Sequence, residues 1–207
     1  MNDILKTYNV SRETITKLKA YESMVKDWNN KFNLVSKSSV EELWNRHIID
    51  SVQLIQFIKL TDKVLYDFGS GAGFPAIVLA IIAEQLFPDL TINLVESIGK
   101  KVIFLNTVKK ELELNNINVW HNRIENLKIP EVDIISSRAL ASLPKLLEYS
   151  YPFCKRETRL IFPKGESWEN EVSQAKQQWS FDFENIQSVT NNSGHILNIS
   201  NLRRKKW

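Results

Sequence analysis

The residues of this chain able to do chemistry collect at the ends of apolar runs. Val64-Leu65-Tyr66 leads into Asp67-Phe68-Gly69-Ser70-Gly71-Ala72-Gly73-Phe74, and Pro75-Ala76-Ile77-Val78-Leu79-Ala80-Ile81-Ile82 follows. A strand that ends in an acid, turns through glycines and re-enters as a helix is how open α/β sheets hold ligands at the carboxyl ends of their strands. The glycines permit positive φ and offer backbone N–H groups with no Cβ in front of them. Asp67 stands where it orients a ligand, and Pro75 suits a first helical turn, where its missing N–H loses nothing. Spacing separates the owners of such turns. A dinucleotide site reads G-x-G-x-x-G, whereas here Gly73 comes one residue early and Phe74 takes the third glycine's place. A P-loop needs Gly-Lys followed by Ser or Thr, a triplet this chain lacks.

Three further tips carry polar groups. Glu96 ends the next apolar run, where an acid accepts hydrogen bonds from ribose hydroxyls; the bland alternative is an exposed strand-end carboxylate. Arg123-Ile124-Glu125 follows the third strand and offers backbone groups and an acid to an adenine edge, or is an ordinary loop. Ser136-Ser137-Arg138-Ala139 ends the fourth strand, which in a doubly wound order lies beside the first. Arg138 is there set for a charge-assisted, bidentate contact to a carboxylate, or for a surface pair with a glutamate.

What must position these side chains is an alternation of strands and helices. Ser11 caps a helix over 11–31 with apolar spacing through Ile15, Leu18, Tyr21, Met24, Val25 and Trp28, and a second helix spans 39–57 with Leu43, Trp44, Ile48, Val52 and Ile55. Strands at 64–67, 90–95, 118–121, 132–137 and 158–162 then alternate with helices at 75–87, 100–114, 142–150 and 167–178, and strands near 181–189 and 195–201 close the chain. The pattern predicts an α/β fold, a doubly wound, mostly parallel sheet with helices on both faces. It divides the chain into an N-terminal helical extension over 1–60, packed on the core, and a Rossmann-like domain over 61–207.

With 207 residues, 43% hydrophobic and 25% charged, the composition is that of one compact domain with a short appendage. The single cysteine, Cys154, makes no internal disulfide and reads as a small buried hydrophobe, and no His/Cys cluster has metal-ligand spacing. Asp3, Lys6, Arg12, Glu13, Lys17 and Lys19 make the N-terminus neither a signal peptide nor a membrane span, so the expected protein is cytoplasmic and soluble. A net charge of +3 permits a nucleic-acid partner without requiring one. Arg46, Lys100, Lys101, Arg123, Lys164 and the tail Arg203-Arg204-Lys205-Lys206 bind phosphates if they share a face. Trp44 and Trp207 stack on bases or belong to the core.

The acid-x-G-x-G-x-G turn resembles the first motif of the class I S-adenosylmethionine-dependent methyltransferases. Trp28-Asn29, Phe32-Asn33-Leu34, Arg46-His47-Ile48-Ile49-Asp50-Ser51, the glycine turn, Ser97-Ile98-Gly99-Lys100-Lys101, Ser137-Arg138-Ala139 and Pro163-Lys164-Gly165 occur in order. Together they resemble the bacterial small-subunit ribosomal RNA guanine-N7 methyltransferases, the glucose-inhibited division protein B family. The resemblance implies a class I methyltransferase-type fold that moves a methyl group from S-adenosylmethionine to guanine N7 of small-subunit ribosomal RNA or the small ribosomal subunit; the expected protein is a monomer with no membrane partner. It implies cofactor contacts at Gly69, Phe74, Ile124, Glu125 and Arg138, beside Gly71 and Glu96 of the strand tips, and an RNA-facing role for His47, Arg123 and Lys164. Guanine N7 already presents a lone pair, so no general base is expected and catalysis rests on positioning and electrostatics. Ala72 and Ala76 stand where family members often have proline and glycine, and the chain from about 166 onward matches poorly. The rival readings are a methyltransferase for a small molecule or protein, a non-catalytic RNA-binding module and, weaker, a nicotinamide enzyme.

Overall fold

The computed structural model describes residues 3–205. In chain order it has α1 (Asp3–Thr7), α2 (Arg12–Asn29), α3 (Lys37–Val40), a π-helical turn (Trp44–Ile49), α4 (Asp50–Val52), a 3-10 segment (Gln53–Phe57), β1 (Val64–Phe68), α5 (Ala76–Leu86), β2 (Thr91–Glu96), α6 (Gly99–Glu111), β3 (Ile117–His121), β4 (Val132–Ser136), α7 (Leu143–Ser150), β5 (Cys154–Lys164), α8 (Trp168–Gln178), β6 (Trp179–Gln187) and β7 (His195–Arg204). The strands form one sheet in the order β3-β2-β1-β4-β5-β7-β6. β1 runs parallel to β2 and β4, and β7 runs antiparallel to β5 and β6. The strand order reverses between β2-β1 and β1-β4, so the end of β1 is the topological switch point, where open sheets bind ligands.

Alternation along the strands builds two cores. Leu65, Ile92, Leu94, Ile134 and Ile161 face one layer together with residues of α2, α5 and α6. Tyr66, Val95, Ile135, Leu160 and Phe162 face the other, against α7 and α8. Helices therefore cover both faces, as the alternating text predicts. α5 is buried at every position from Ala76 to Ala83, because α2 covers the side that the sheet leaves free. Leu18, Tyr21 and Val25 of α2 are fully buried there, each contributing about 1.5–3 kcal/mol of burial for a large apolar side chain. The N-terminal helices thus share a core with α5 and α6.

The expected single helix over 39–57 is broken into segments of different pitch. Its buried apolar residues are Leu43, Ile48, Ile49, Val52, Leu54, Ile55 and Phe57, so burial widens from one face to adjacent and alternate positions toward its C-terminal end. The pitch tightens along it, from a π turn through a short α turn to a 3-10 segment. The wide turn at Trp44–Ile49 carries Arg46 and His47. β5 is longer than expected, starting at Cys154, with a register shift against β4 between Val132 and Ile134.

Candidate functional site

The glycine turn leaves β1 with Gly69 at φ +70°, Gly71 at +59° and Gly73 at +96°. The N–H groups of Gly69 and Ser70 donate to Val95 O of β2. Glu96, 5% exposed, accepts the Gly71 N–H at 2.9 Å on one carboxylate oxygen and the Ile98 N–H at 2.8 Å on the other. The strand-tip acid therefore braces the turn and keeps further lone pairs for a ligand. The three glycines do different things. A Cβ at Gly73 would lie 2.5 Å from Ile77 Cγ1 and 2.9 Å from Tyr21 Oη, whereas a Cβ at Gly71 meets nothing nearer than Gly69 O at 3.8 Å. Gly73 serves packing, and Gly71 leaves space. Tyr21 Oη donates to Ala72 O at 2.6 Å, tying α2 to the turn.

Asp67 is 1% exposed. Its Oδ1 accepts from Ser136 Oγ at 2.7 Å, while Oδ2 is buried without a hydrogen-bond partner. Burial pushes its carboxyl up to about 7, against the stabilising Ser136 hydroxyl and Arg138 charge. The unfolded carboxyl titrates near 3.8. Between those values the native state holds a proton that the unfolded chain has lost, so stability is full below the lower value and declines as pH rises toward the upper one, by about 1.4 kcal/mol per unit. Asp67→Asn cannot ionise. Its melting temperature, relative to wild type without cofactor, is expected to rise from about pH 4 to 7 and then level off; parallel melting profiles would contradict the assignment.

Arg138 leaves the tip of β4 toward the N-terminal helices. Its Nη2 donates to His47 Nδ1 at 2.6 Å and its Nη1 meets Asp50 Oδ2 at 3.4 Å, with the guanidinium 5.3 Å from the Phe74 ring centroid. The His47 ring stacks on Phe74 at 4.9 Å. Burial, then the charges of Arg138 and Arg46, lower the His47 pKa to about 3. The imidazole is neutral near pH 7, and because Nδ1 accepts from Arg138, its proton sits on Nε2. Nε2 is itself buried without a partner. Asp50 Oδ1 collects Gln53 Nε2 at 2.7 Å, Thr190 Oγ1 at 2.8 Å and Ser188 Oγ at 3.1 Å. One carboxylate thus joins the π turn, Arg138 and the β6–β7 connection.

Two clefts open at the switch point. A smaller one, about 300 Å³, is lined by Gly69, Glu96, Arg123, Ile124, Glu125 and Tyr149 among others. A larger one, about 950 Å³, is lined by Arg46, His47, Arg138, Lys164, Asn191 and His195 among others. Ala139 and Leu140 border both. The structure therefore gathers Gly69, Glu96, Ile124 and Glu125 in one cleft and puts Arg138 in the other, with Phe74 buried behind it. Of the three residues expected to face RNA, His47 and Lys164 line the larger cleft and Arg123 the smaller. Lys164 is directed inward, with its side chain 8% exposed and its ammonium 2.7 Å from Glu171.

Sequence reasoning missed Tyr21, Glu171 and the hydroxyls of Ser188 and Thr190, whose partners lie far along the chain or across a loop. The region from 166 onward, which carries no motif, supplies much of the larger cleft's wall. Trp44 packs against the core, and the Arg204 guanidinium lies 5.8 Å from the Trp179 ring centroid. Lys206 and Trp207 lie outside the described residues. Cys154 is half-buried and its thiol, by burial, is pushed up to about 12.

Sheet order, switch-point glycine turn and strand-tip acids define a class I methyltransferase-type fold. Solved structures agree: a SAM-dependent methyltransferase from Aquifex aeolicus matches with a TM-score of 0.60 at 14% identity, covering 86% of this chain and 97% of that one. A ribosomal protein L11 methylase from Lactobacillus delbrueckii subsp. bulgaricus matches at 0.57 and 13% identity, covering 76% and 77%. The particular family follows from sequence. The GidB family model, described as rRNA small subunit methyltransferase G, matches residues 14–199, and the chain belongs to that family. Relatives named ribosomal RNA small subunit methyltransferase G include one from Ruegeria sp. (strain TM1040), 38% identical over 95% of both chains. Another, from Bartonella tribocorum, is 42% identical over 94% of this chain and 91% of its own.

Proposed function

We propose that this protein transfers the methyl group of S-adenosylmethionine to N7 of a guanine in small-subunit ribosomal RNA. The observation that carries the proposal is the meeting of two clefts, one sized for a nucleoside and one larger and arginine-lined, across a single segment at the switch point. The residues fit the cofactor. Asp67 Oδ2, buried and unpartnered, suits the ammonium of a methionine tail, and the remaining lone pairs of Glu96 suit ribose hydroxyls. Ile124 and Glu125 are assigned to the adenine, Gly69 and Gly71 to the backbone approach, and Phe74 to the wall behind it. Arg138, with five N–H donors, is assigned to the methionine carboxylate from the larger cleft's side, its pairs with Asp50 and His47 leaving N–H groups over.

When bound, S-adenosylmethionine supplies an electrophilic methyl group. The protein's part is to hold the base in line with it and to exclude water; no side chain need take a proton, because N7 carries a free lone pair. His47, neutral, is assigned to the acceptor as an Nε2–H donor. Arg46 and Arg123 are assigned to phosphates, and Lys164, whose ammonium is engaged inside the protein, is left out. Residues 1–60 are assigned as the extension that walls the acceptor cleft and 61–207 as the methyltransferase domain. A single chain supplies both clefts, so we assign a monomer acting in the cytoplasm, where its RNA is made. No described helix is long and apolar enough to cross a membrane.

Labelled S-adenosylmethionine offered with small ribosomal subunits, naked ribosomal RNA or free nucleosides tests the proposal. Label in the RNA is expected. Label in nucleosides or protein alone, or in nothing, would overturn it.

A further inference from the structure

Lys164 ends β5, and its Nζ donates to Ala141 O at 2.9 Å and to Glu171 Oε2 at 2.7 Å. Two of its three protons are thereby used inside the protein. Glu171, in the first turn of α8 and 17% exposed, uses the same oxygen to accept the backbone N–H of Leu143 at 2.6 Å, and its other oxygen meets Ser167 Oγ at 3.3 Å. The pair therefore grips the chain at 141 and at 143, on either side of Ser142, the residue before α7. Immediately upstream lies Arg138-Ala139-Leu140. Ala139 sits at φ +55°, a left-handed conformation that a residue with a Cβ keeps only when its surroundings impose it. Leu140 presses on the glycine turn, its Cδ1 lying 2.7 Å from where a Cβ on Gly69 would be. Ala139 and Leu140 are the segment that borders both clefts.

We propose that Lys164 and Glu171 form a positioning pair that fixes the Arg138–Leu140 partition against the glycine turn and so sets where acceptor base and methyl donor meet. The inference rests on the methyl-transfer reading of the two clefts. It differs from a role for Lys164 as a phosphate contact, and one variant separates the two with opposite signs. If Lys164 served RNA, Glu171→Gln would release its ammonium and tighten RNA binding. As a positioning pair, Glu171→Gln misplaces the partition and lowers kcat while RNA binding stays as it was.

The test measures kcat, the KM for RNA and the salt dependence of RNA binding in Glu171→Gln, Lys164→Met and the double variant. Glu171→Asp, which keeps the charge and shortens the reach, is the second probe, and thermal melting with cofactor calorimetry verifies that each variant is folded. Each single variant is expected to lose about 10- to 100-fold in kcat, the scale of an ångström-sized misplacement. The KM should stay within about twofold and the double variant should be no worse than either single one, because the two act as a unit. Glu171→Asp should lose kcat as well. Lys164→Met with full kcat and a salt slope reduced by about one, or tighter RNA binding by Glu171→Gln, would overturn the pair. An active wild type with fully active variants sinks this inference alone, whereas a wild type inactive on RNA sinks it together with the reaction it serves.

Discussion

Arg138→Ala is expected to weaken S-adenosylmethionine binding by about 10- to 150-fold, the equivalent of losing one charge-assisted hydrogen bond worth 1.5–3 kcal/mol. The guanidinium stands between the tip of β4 and the π turn, 2.6 Å from His47 Nδ1 and 3.4 Å from Asp50 Oδ2. Truncation does two things at once. It removes the cation assigned to the methionine carboxylate, and it removes the positive charge that, after burial, does most to hold the His47 pKa near 3. The imidazole of the variant should therefore titrate at a higher pH, an effect that nuclear magnetic resonance of its ring protons reads directly. Calorimetry gives the affinity. Equal dissociation constants in wild type and variant would remove Arg138 from the cofactor site, and an unmoved His47 titration would remove its electrostatic hold on the ring.

Gly73→Ala is expected to cost about 2–5 kcal/mol of folding stability, the sum of a left-handed backbone penalty and of overpacking in a closed core. The backbone there has φ +96°, and the new methyl would lie 2.5 Å from Ile77 Cγ1 and 2.9 Å from the Tyr21 hydroxyl. That hydroxyl donates to Ala72 O, so the clash pushes α2 off the turn. Gly71→Ala is the contrast. With nothing closer than 3.8 Å, it should cost only the backbone penalty of about 1–2 kcal/mol, and its larger effect should fall on cofactor affinity, because its methyl points into open space. Thermal melts and calorimetry on both variants separate packing from binding; equal loss of stability in the two would contradict the division.

Much of this was legible in the sequence because it is local. The apolar run of β1, the acid one residue before its end and the glycine spacing lie within eleven consecutive residues. The position of Glu96 at the end of β2 was legible for the same reason. Its grip on the Gly71 and Ile98 N–H groups was not, since that depends on how two strand tips sit side by side. Longer range hid more. Asp50 finds Ser188 and Thr190 more than 130 residues further along the chain, and the hydroxyls of a hairpin connection give no periodic signal. The RNA-facing role of Lys164 came from the family resemblance and its charge; the ion pair with Glu171 was not legible, because only the return of α8 brings that carboxylate beside the ammonium. The break of the helix at 37–57 into segments of different pitch was not legible, because Leu43, Trp44, Ile48, Val52 and Ile55 fit one face of a single helix.

The most direct measurement is the chemical position of the transferred methyl group. Small-subunit ribosomal RNA lacking the modification, incubated with the protein and methyl-labelled S-adenosylmethionine, is digested to nucleosides and separated against standards. Label is predicted to travel with N7-methylguanosine and to vanish with the Asp67→Ala, Arg138→Ala double variant. Label on an exocyclic amine or a ribose oxygen, or no label in RNA at all, would contradict transfer to the N7 lone pair.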